Sequence, residues 1–353
     1  MTRLTASLSP PFFLEGARIV GKKMASLALF LGAFLIALAA LSKFYMYDRL
    51  AVVPDNNETT SISQTAPGED AEYLNVGAEG GPAVETGPLK STRIVQGNVE
   101  LSEKASEELD RDVAVWDTYT CTDTPDFDCA SGQTPLSSTK DRVAFDAHTG
   151  ETVSWSGSTT ETGGEESEGA FKGLYFKFPF GTEKKTYDFW DGTLKKATPA
   201  VYKGETTIKG LDVYEFEQVI EPTKTGTIDV PGSLVGEDAS QVTADRIYAN
   251  TRTFLVEPVT GVIIKGGEAQ DSSLEVDGER KLTTTKATLG YTDAYIQDTV
   301  DEYKGKATLL KAVDTTFPIV GGIVGLVLLV LGVAGLARGR KAAGRQDGGT
   351  HTA

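Results

Sequence analysis

Two uninterrupted apolar runs stand near the ends of the chain, and the stretch between them is polar and mostly alternating. Met24 to Leu41 is 18 residues without a charge, and Phe317 to Leu336 is 20. At about 1.5 Å of rise per helical residue, either run covers roughly 30 Å of hydrocarbon. The pattern predicts membrane-spanning helices over 24–46 and 317–336. A helix on the core of a soluble protein keeps a polar face, which the second run lacks. For the first run the competing reading is a cleaved signal peptide, with Ala37-Leu38-Ala39 as a small-x-small site. A basic leader of 23 residues and a long apolar core favour a retained anchor.

Between the runs, residues 47–92 are rich in Asn, Thr, Ser, Pro and Gly and read as a weakly structured stalk. From 93 to 291 the period is mostly two. Tyr214, Phe216 and Ile220 point one way and Glu215 and Glu217 the other, the pattern of a half-buried antiparallel strand. Arg142–Asp146 and Glu151–Trp155 flank Ala147-His148-Thr149-Gly150, a turn with glycine where positive φ is cheapest. A second copy follows, with Thr253–Glu257 and Val262–Ile264 around Pro258-Val259-Thr260-Gly261. The shared form is a strand, an acid, two variable residues, Thr-Gly and another strand. It fits either an internal duplication or two uses of a common turn.

Asp277-Gly278 marks a two-residue hairpin. Only near the end does the period lengthen. Ile296, Val300, Tyr303, Ala307 and Leu310 recur at helical spacing after Thr292-Asp293, predicting a membrane-proximal helix over 292–316 that links domain to membrane. Strands do not alternate with long helices, which disfavours a parallel sheet. The expected fold class is a mostly β, antiparallel (α+β) extracytoplasmic domain between an N-terminal and a C-terminal transmembrane helix.

Charge orients this arrangement. Residues 1–23 hold Arg3, Arg18, Lys22 and Lys23 against Glu15, and residues 337–353 hold Arg338, Arg340, Lys341 and Arg345 against Asp347. Each end therefore carries +3, and with −16 overall the segment between carries −22. Basic ends around an acidic middle predict a plasma-membrane protein with both termini cytoplasmic and 47–316 outside. The acidic balance also excludes a nucleic-acid partner, which needs a basic face.

Candidate chemistry is sparse. Cys121 and Cys129 are the only cysteines, and on the oxidising side of a membrane they predict one disulfide around a Pro-containing loop. A metal site there would need further Cys or His nearby. Of the two histidines, His351 is in the tail and His148 in the turn, where it reads as a solvated residue. Glu161 to Glu168 reads as a solvated acidic loop. No Gly-x-Ser-x-Gly elbow and no phosphate-binding loop occurs, so neither an enzyme nor a cofactor is predicted. Gly321 with Gly325, and Ala28 with Gly32, form small-xxx-small pairs for helix packing, between the two spans or between subunits. The expected partners are membrane lipid and either further copies of the chain or other envelope proteins.

Several segments, in order, resemble the actinobacterial porin PorA family. They are Ser91–Gly97, Val113–Asp117, Arg142–Asp146 with Thr149-Gly150, Gly173–Thr182, Thr186–Asp191, Gly210–Phe216 and Val256–Gly261. The resemblance covers roughly residues 20–340 and both spans. It implies channel-forming or envelope-transport work and carries no residue-level site. The predicted strands are shorter and more acidic than those of a membrane β-barrel, so a pore would need several chains. The topology alone also fits a membrane-tethered lipid-binding or lipid-conducting module, as in class B scavenger receptors.

Overall fold

The structure, a computed structural model, describes residues 11–344 apart from Gly163, with backbone alone for 11–21 and 339–344. Arg3, Arg345, Asp347 and His351, which enter the charge and histidine readings, lie outside the described residues. Contacts divide the chain into one unit containing the two ends and another covering Ala51–Thr308.

The first unit is a helix hairpin. Helix α1 runs Pro11–Leu41, a π-helical turn covers Ser42–Met46, and α2 is the short Tyr47–Leu50. A second π turn, Ala312–Thr316, precedes α5, Phe317–Gly344. The two π turns face each other. Ser42 Oγ donates to the Val313 carbonyl at 2.8 Å, and Lys43 pairs with Asp314 at 2.6 Å. The flanks of the hairpin are apolar and uncovered, with Phe30 67% and Ile323 61% exposed. In water such a surface would be strongly unfavourable; both helices are long and apolar enough to cross a bilayer.

The second unit is built on one antiparallel sheet of 14 strands. Its first half holds β1 Glu58–Gln64, β2 Ala71–Asn75, β3 Ala83–Gly87, β4 Lys90–Gly97, β5 Val113–Asp123, β6 Ser137–Asp146, β7 Thr159–Thr162 and β8 Glu165–Glu168. Its second half holds β9 Tyr187–Asp191, β10 Lys196–Ile208, β11 Leu211–Val230, β12 Val242–Val256, β13 Ile263–Val276 and β14 Glu279–Tyr291. The order is β8-β7-β6-β5-β4-β1-β14-β13-β12-β11-β10-β9, with β2 on β14 and β3 on β2. Neighbours along this path are consecutive in the chain except at β1, which sits between β4 and β14 and joins the halves; β2 likewise pairs across to β14. Single-residue bridges Phe145–Thr152, Glu151–Leu174 and Leu174–Phe189 carry the pairing on from β6 to β9, so the sheet curls back upon itself.

Three expectations change. Residues 47–92 are not a loose stalk, because β1 to β3 and the start of β4 lie within them. β1 pairs with β4 over seven positions, from Glu58–Gln96 to Gln64–Lys90. Its Thr and Ser residues suit a pleated surface but bury little on their own, so the signal is weak without the partner strands. An unpredicted helix, α3 (Val99–Leu109), follows β4. Asn98 caps it by accepting from the Leu101 amide at 3.1 Å, and Ala105 packs on Val113, Val115 and Trp155. The acidic stretch near Glu161 is not a loop but the β7–β8 hairpin, whose Glu165–Glu168 edge is exposed and discourages further pairing. Helix α4 spans Asp293–Lys311, with Ile296 and Val300 buried against Leu211, Val213 and Ile264. Asp277 and Gly278 both take positive φ, 54° and 78°, as the β13–β14 turn requires.

Candidate functional site

Directly paired strand residues share a face, so the pairs Phe216–Phe254 and Gln218–Arg252 place these four side chains on the inner face of the sheet. Between that face and β6 runs the segment Phe171–Thr182. Its Phe178 stacks on Phe216 at 4.5 Å, in a cluster that includes Leu174, Phe189 and Phe254. Phe176 meets Trp116 and Phe145 at 5.0 and 5.3 Å. The inside of the sheet is therefore occupied by aromatic side chains.

Two Thr-Gly turns of the same design lie against this segment. Asp146 accepts from the His148 amide at 3.0 Å and from Thr149 through its amide at 2.7 Å and its hydroxyl at 3.0 Å. Glu257 repeats the pattern, accepting from the Val259 amide at 2.9 Å and from Thr260 at 2.7 and 2.6 Å. Gly150 has φ 76° and Gly261 φ 73°. A Cβ at Gly261 would lie 2.0 Å from the Phe178 carbonyl, so only glycine fits there. The Phe178 amide donates to the Gly261 carbonyl at 2.8 Å, and Gly181 and Thr182 donate to Val259 and Pro258. The sequence repeat thus marks one turn shape used twice, of which only the Glu257 turn bonds the segment directly; beyond the Asp146 turn, the Thr152 amide donates to the Gly173 carbonyl at 2.8 Å. Burial alone would raise the Asp146 pKa, but Arg111 and the turn amides hold it below the usual carboxylate range.

A buried polar set lies beside the aromatic cluster. Arg252 pairs with Asp191 at 2.9 Å and Glu268 at 3.3 Å, and its side chain is 21% exposed. Tyr248 donates to Asp191 at 2.9 Å, while Asn250 donates to Tyr248 and to Glu268. Gln218 donates to the Phe189 carbonyl and the Thr198 hydroxyl, and accepts from Arg252. Lys177 differs from all of these. It is 6% exposed, and its Nζ has no hydrogen-bond partner among the described residues. It lies 3.6 Å from the centre of the Phe180 ring. Burial pushes its pKa down to about 7, with the Glu257 carboxylate acting in the opposite direction. None of these residues was singled out from the sequence. Alternation marks Phe216 as inward, but the partners of Arg252 lie 16 and 61 positions away.

The predicted site residues divide into two places. Cys121 and Cys129 form a disulfide between the end of β5 and the following loop. The helix-packing glycines meet inside the hairpin. A Cβ on Gly32 would lie 2.6 Å from the Gly325 carbonyl, and one on Gly321 would lie 3.7 Å from Ala39 Cβ. Ala28 is only half-buried, and among the described side chains of α1 the buried small residues are Ala25, Gly32 and Ala39, seven apart. On α1 the seam therefore follows a seven-residue spacing, whereas on α5 Gly321 and Gly325, four apart, both lie in it. It places Gly321 and Gly325 against α1 of the same chain. His148 is not simply solvated, since both ring nitrogens meet acceptors, Ala51 and Asp112.

Two open recesses lie along the sheet. One, about 300 Å³, is lined by Asp117, Lys140, Asp141, Arg142, Glu161 and Glu166. The other, about 460 Å³, has Glu69, Asp70, Glu72, Asp271 and Lys286 in its walls. Charged walls suit neither an acyl chain nor a sterol.

These features define a membrane protein in which a polar antiparallel β domain lies in sequence between two long apolar helices. The profile of the Porin PorA family matches residues 24–334, and the chain belongs to that family. A Porin PorA of Corynebacterium resistens is 26% identical over 281 residues, covering 59% of this chain and 68% of that protein. A Porin PorA of Corynebacterium amycolatum is 27% identical over 203 residues, covering 45% of this chain and 53% of that protein.

Proposed function

We propose that this chain is a two-span cell-envelope protein serving channel formation or envelope transport, with its permeation path lying between several copies. In this reading 24–46 and 317–336 cross the membrane, 1–23 and 337–353 are cytoplasmic, and 47–316 lie outside. The chain performs no covalent chemistry. The filled interior of the sheet carries the proposal. Phe178, Phe216 and Phe254 occupy it, so one chain's sheet supplies no lumen. The opposite face bears charges such as Glu215 and Glu217 and does not suit lipid. Family membership and the names of the relatives supply the transport assignment.

The test is conductance of purified full-length protein in a planar bilayer. A net charge near −22 on residues 24–336 concentrates cations near an opening, and the field is screened beyond about 10 Å at 0.1 M salt. Cation-preferring steps that lose selectivity as salt rises are expected. Absence of steps together with co-purifying lipid that raises stability would replace this reading with the lipid-conducting module. Tags at either terminus are expected to resist protease added outside intact cells, whereas a tag after Gly164 is expected to be cut.

A further inference from the structure

We propose that His148 is a pH-operated latch that pins the first residues of the β domain, Ala51–Val53, while the imidazole carries a proton. The ring bridges two elements far apart in sequence. Its Nδ1 lies 3.1 Å from the Ala51 carbonyl and its Nε2 lies 3.0 Å from the Asp112 carboxylate, in the loop between α3 and β5. Both partners can only accept. A neutral imidazole has one N–H, and the imidazolium has two. Only the protonated ring satisfies both contacts; in the neutral ring the single N–H goes to the charged acceptor, Asp112, so the Nδ1 lone pair faces the Ala51 carbonyl and that contact is lost.

The surrounding charges favour that proton. Asp112 faces the ring from the α3–β5 loop and Asp146 from its own turn, with Arg111 bonded to Asp146. Asp55, on the lead-in segment, is itself close to Asp112 and to Glu103 of α3. Burial opposes the charge on His148, yet Asp112, the Ala51 carbonyl and Asp146 hold its pKa above the ordinary value. The sign follows directly. The latch is closed at mildly acidic pH and opens as pH rises through the raised pKa. Its opening is local, because the Val53 amide still donates to Ala147 at 3.0 Å and Trp116 Nε1 to Pro54 at 3.2 Å.

Hydrogen exchange of the full-length protein in lipid nanodiscs tests this, read on peptides covering 49–54 at pH 5.5 and 8.0 and corrected for intrinsic rate. Protection is expected to fall about two- to tenfold at the higher pH, the range given by the net contribution of one hydrogen bond. H148Q is expected to show no such change, with tryptophan fluorescence confirming its fold. Imidazole NMR of H351Q, which leaves one histidine, is expected to place the titration of His148 above about 6.5, and D112N on that background to lower it. Equal protection at both pH values in the native chain, the same pH response in H148Q, or a titration at or below about 6.5 would each overturn the latch.

Discussion

Lys177→Met removes a buried amine from the centre of the β domain and is expected to stabilise it. The wild-type Nζ has no hydrogen-bond partner among the described residues, and burial takes its pKa from 10.5 to about 7. A tenfold change in proton affinity is worth about 1.36 kcal/mol. The fall therefore corresponds to at most roughly 5 kcal/mol of lost stability, fully present below the folded value and relieved as pH climbs toward the unfolded one. Near neutral pH much of that penalty applies. Methionine matches the length of the side chain and needs no proton. It forfeits the contact of the amine with Phe180, 3.6 Å from the ring centre, worth about 1–2 kcal/mol. Repacking takes roughly a further 1 kcal/mol. A net gain of about 2 kcal/mol at pH 7 is expected. All three tryptophans, Trp116, Trp155 and Trp190, lie within Ala51–Thr308, so their fluorescence in urea follows this unit in the full chain. Wild-type stability is expected to rise from pH 7 to 9.5 relative to the variant. If Lys177→Met is less stable at pH 7, or the difference is independent of pH, the amine is charged and paired with Glu257 and the reasoning fails.

Three further outcomes follow from packing and charge. Unreduced peptide mapping is expected to find Cys121 linked to Cys129 with neither thiol alkylatable, and replacing both by Ser to lower stability by about 2–3 kcal/mol, as closure of so small a ring allows. Cysteines placed at Ala39 and Gly321, where the Cβ separation is 3.7 Å, are expected to cross-link within one chain. Adding Gly325→Val, whose Cβ would lie 2.8 Å from the Gly32 carbonyl, is expected to abolish that cross-link, and its persistence would show that the seam is elsewhere. Arg252→Met leaves Asp191 buried without its cation and is expected to cost about 3–5 kcal/mol, measured in the same urea titration. A loss below 1 kcal/mol would mean that water reaches the pair.

The sequence alone determined whatever depends on local composition. The charge-free runs ending at Leu41 and Leu336 specify apolar helices, because a helix satisfies its own backbone and needs no partner to do so. Alternation through Tyr214–Ile220 specifies which way those side chains point, because successive residues of a strand face opposite sides. The pair Asp277-Gly278 specifies a turn by the conformations it tolerates. Tertiary structure decided what depends on a partner. β1 is a weak strand by composition and exists because β4 and β14 lie on its two sides. α3 was legible in Asn98 and the Leu101–Ala105–Leu109 spacing, but the surrounding strand signals outweighed eleven residues. The helix seam chose Ala25, Gly32 and Ala39 over Ala28, because facing the opposite helix, and not spacing within one, selects the residues that meet. The charges on Arg252, Asp191 and Glu268 come together only because β9, β12 and β13 share one inner face; a charge in a sequence carries no address for the charge that will neutralise it.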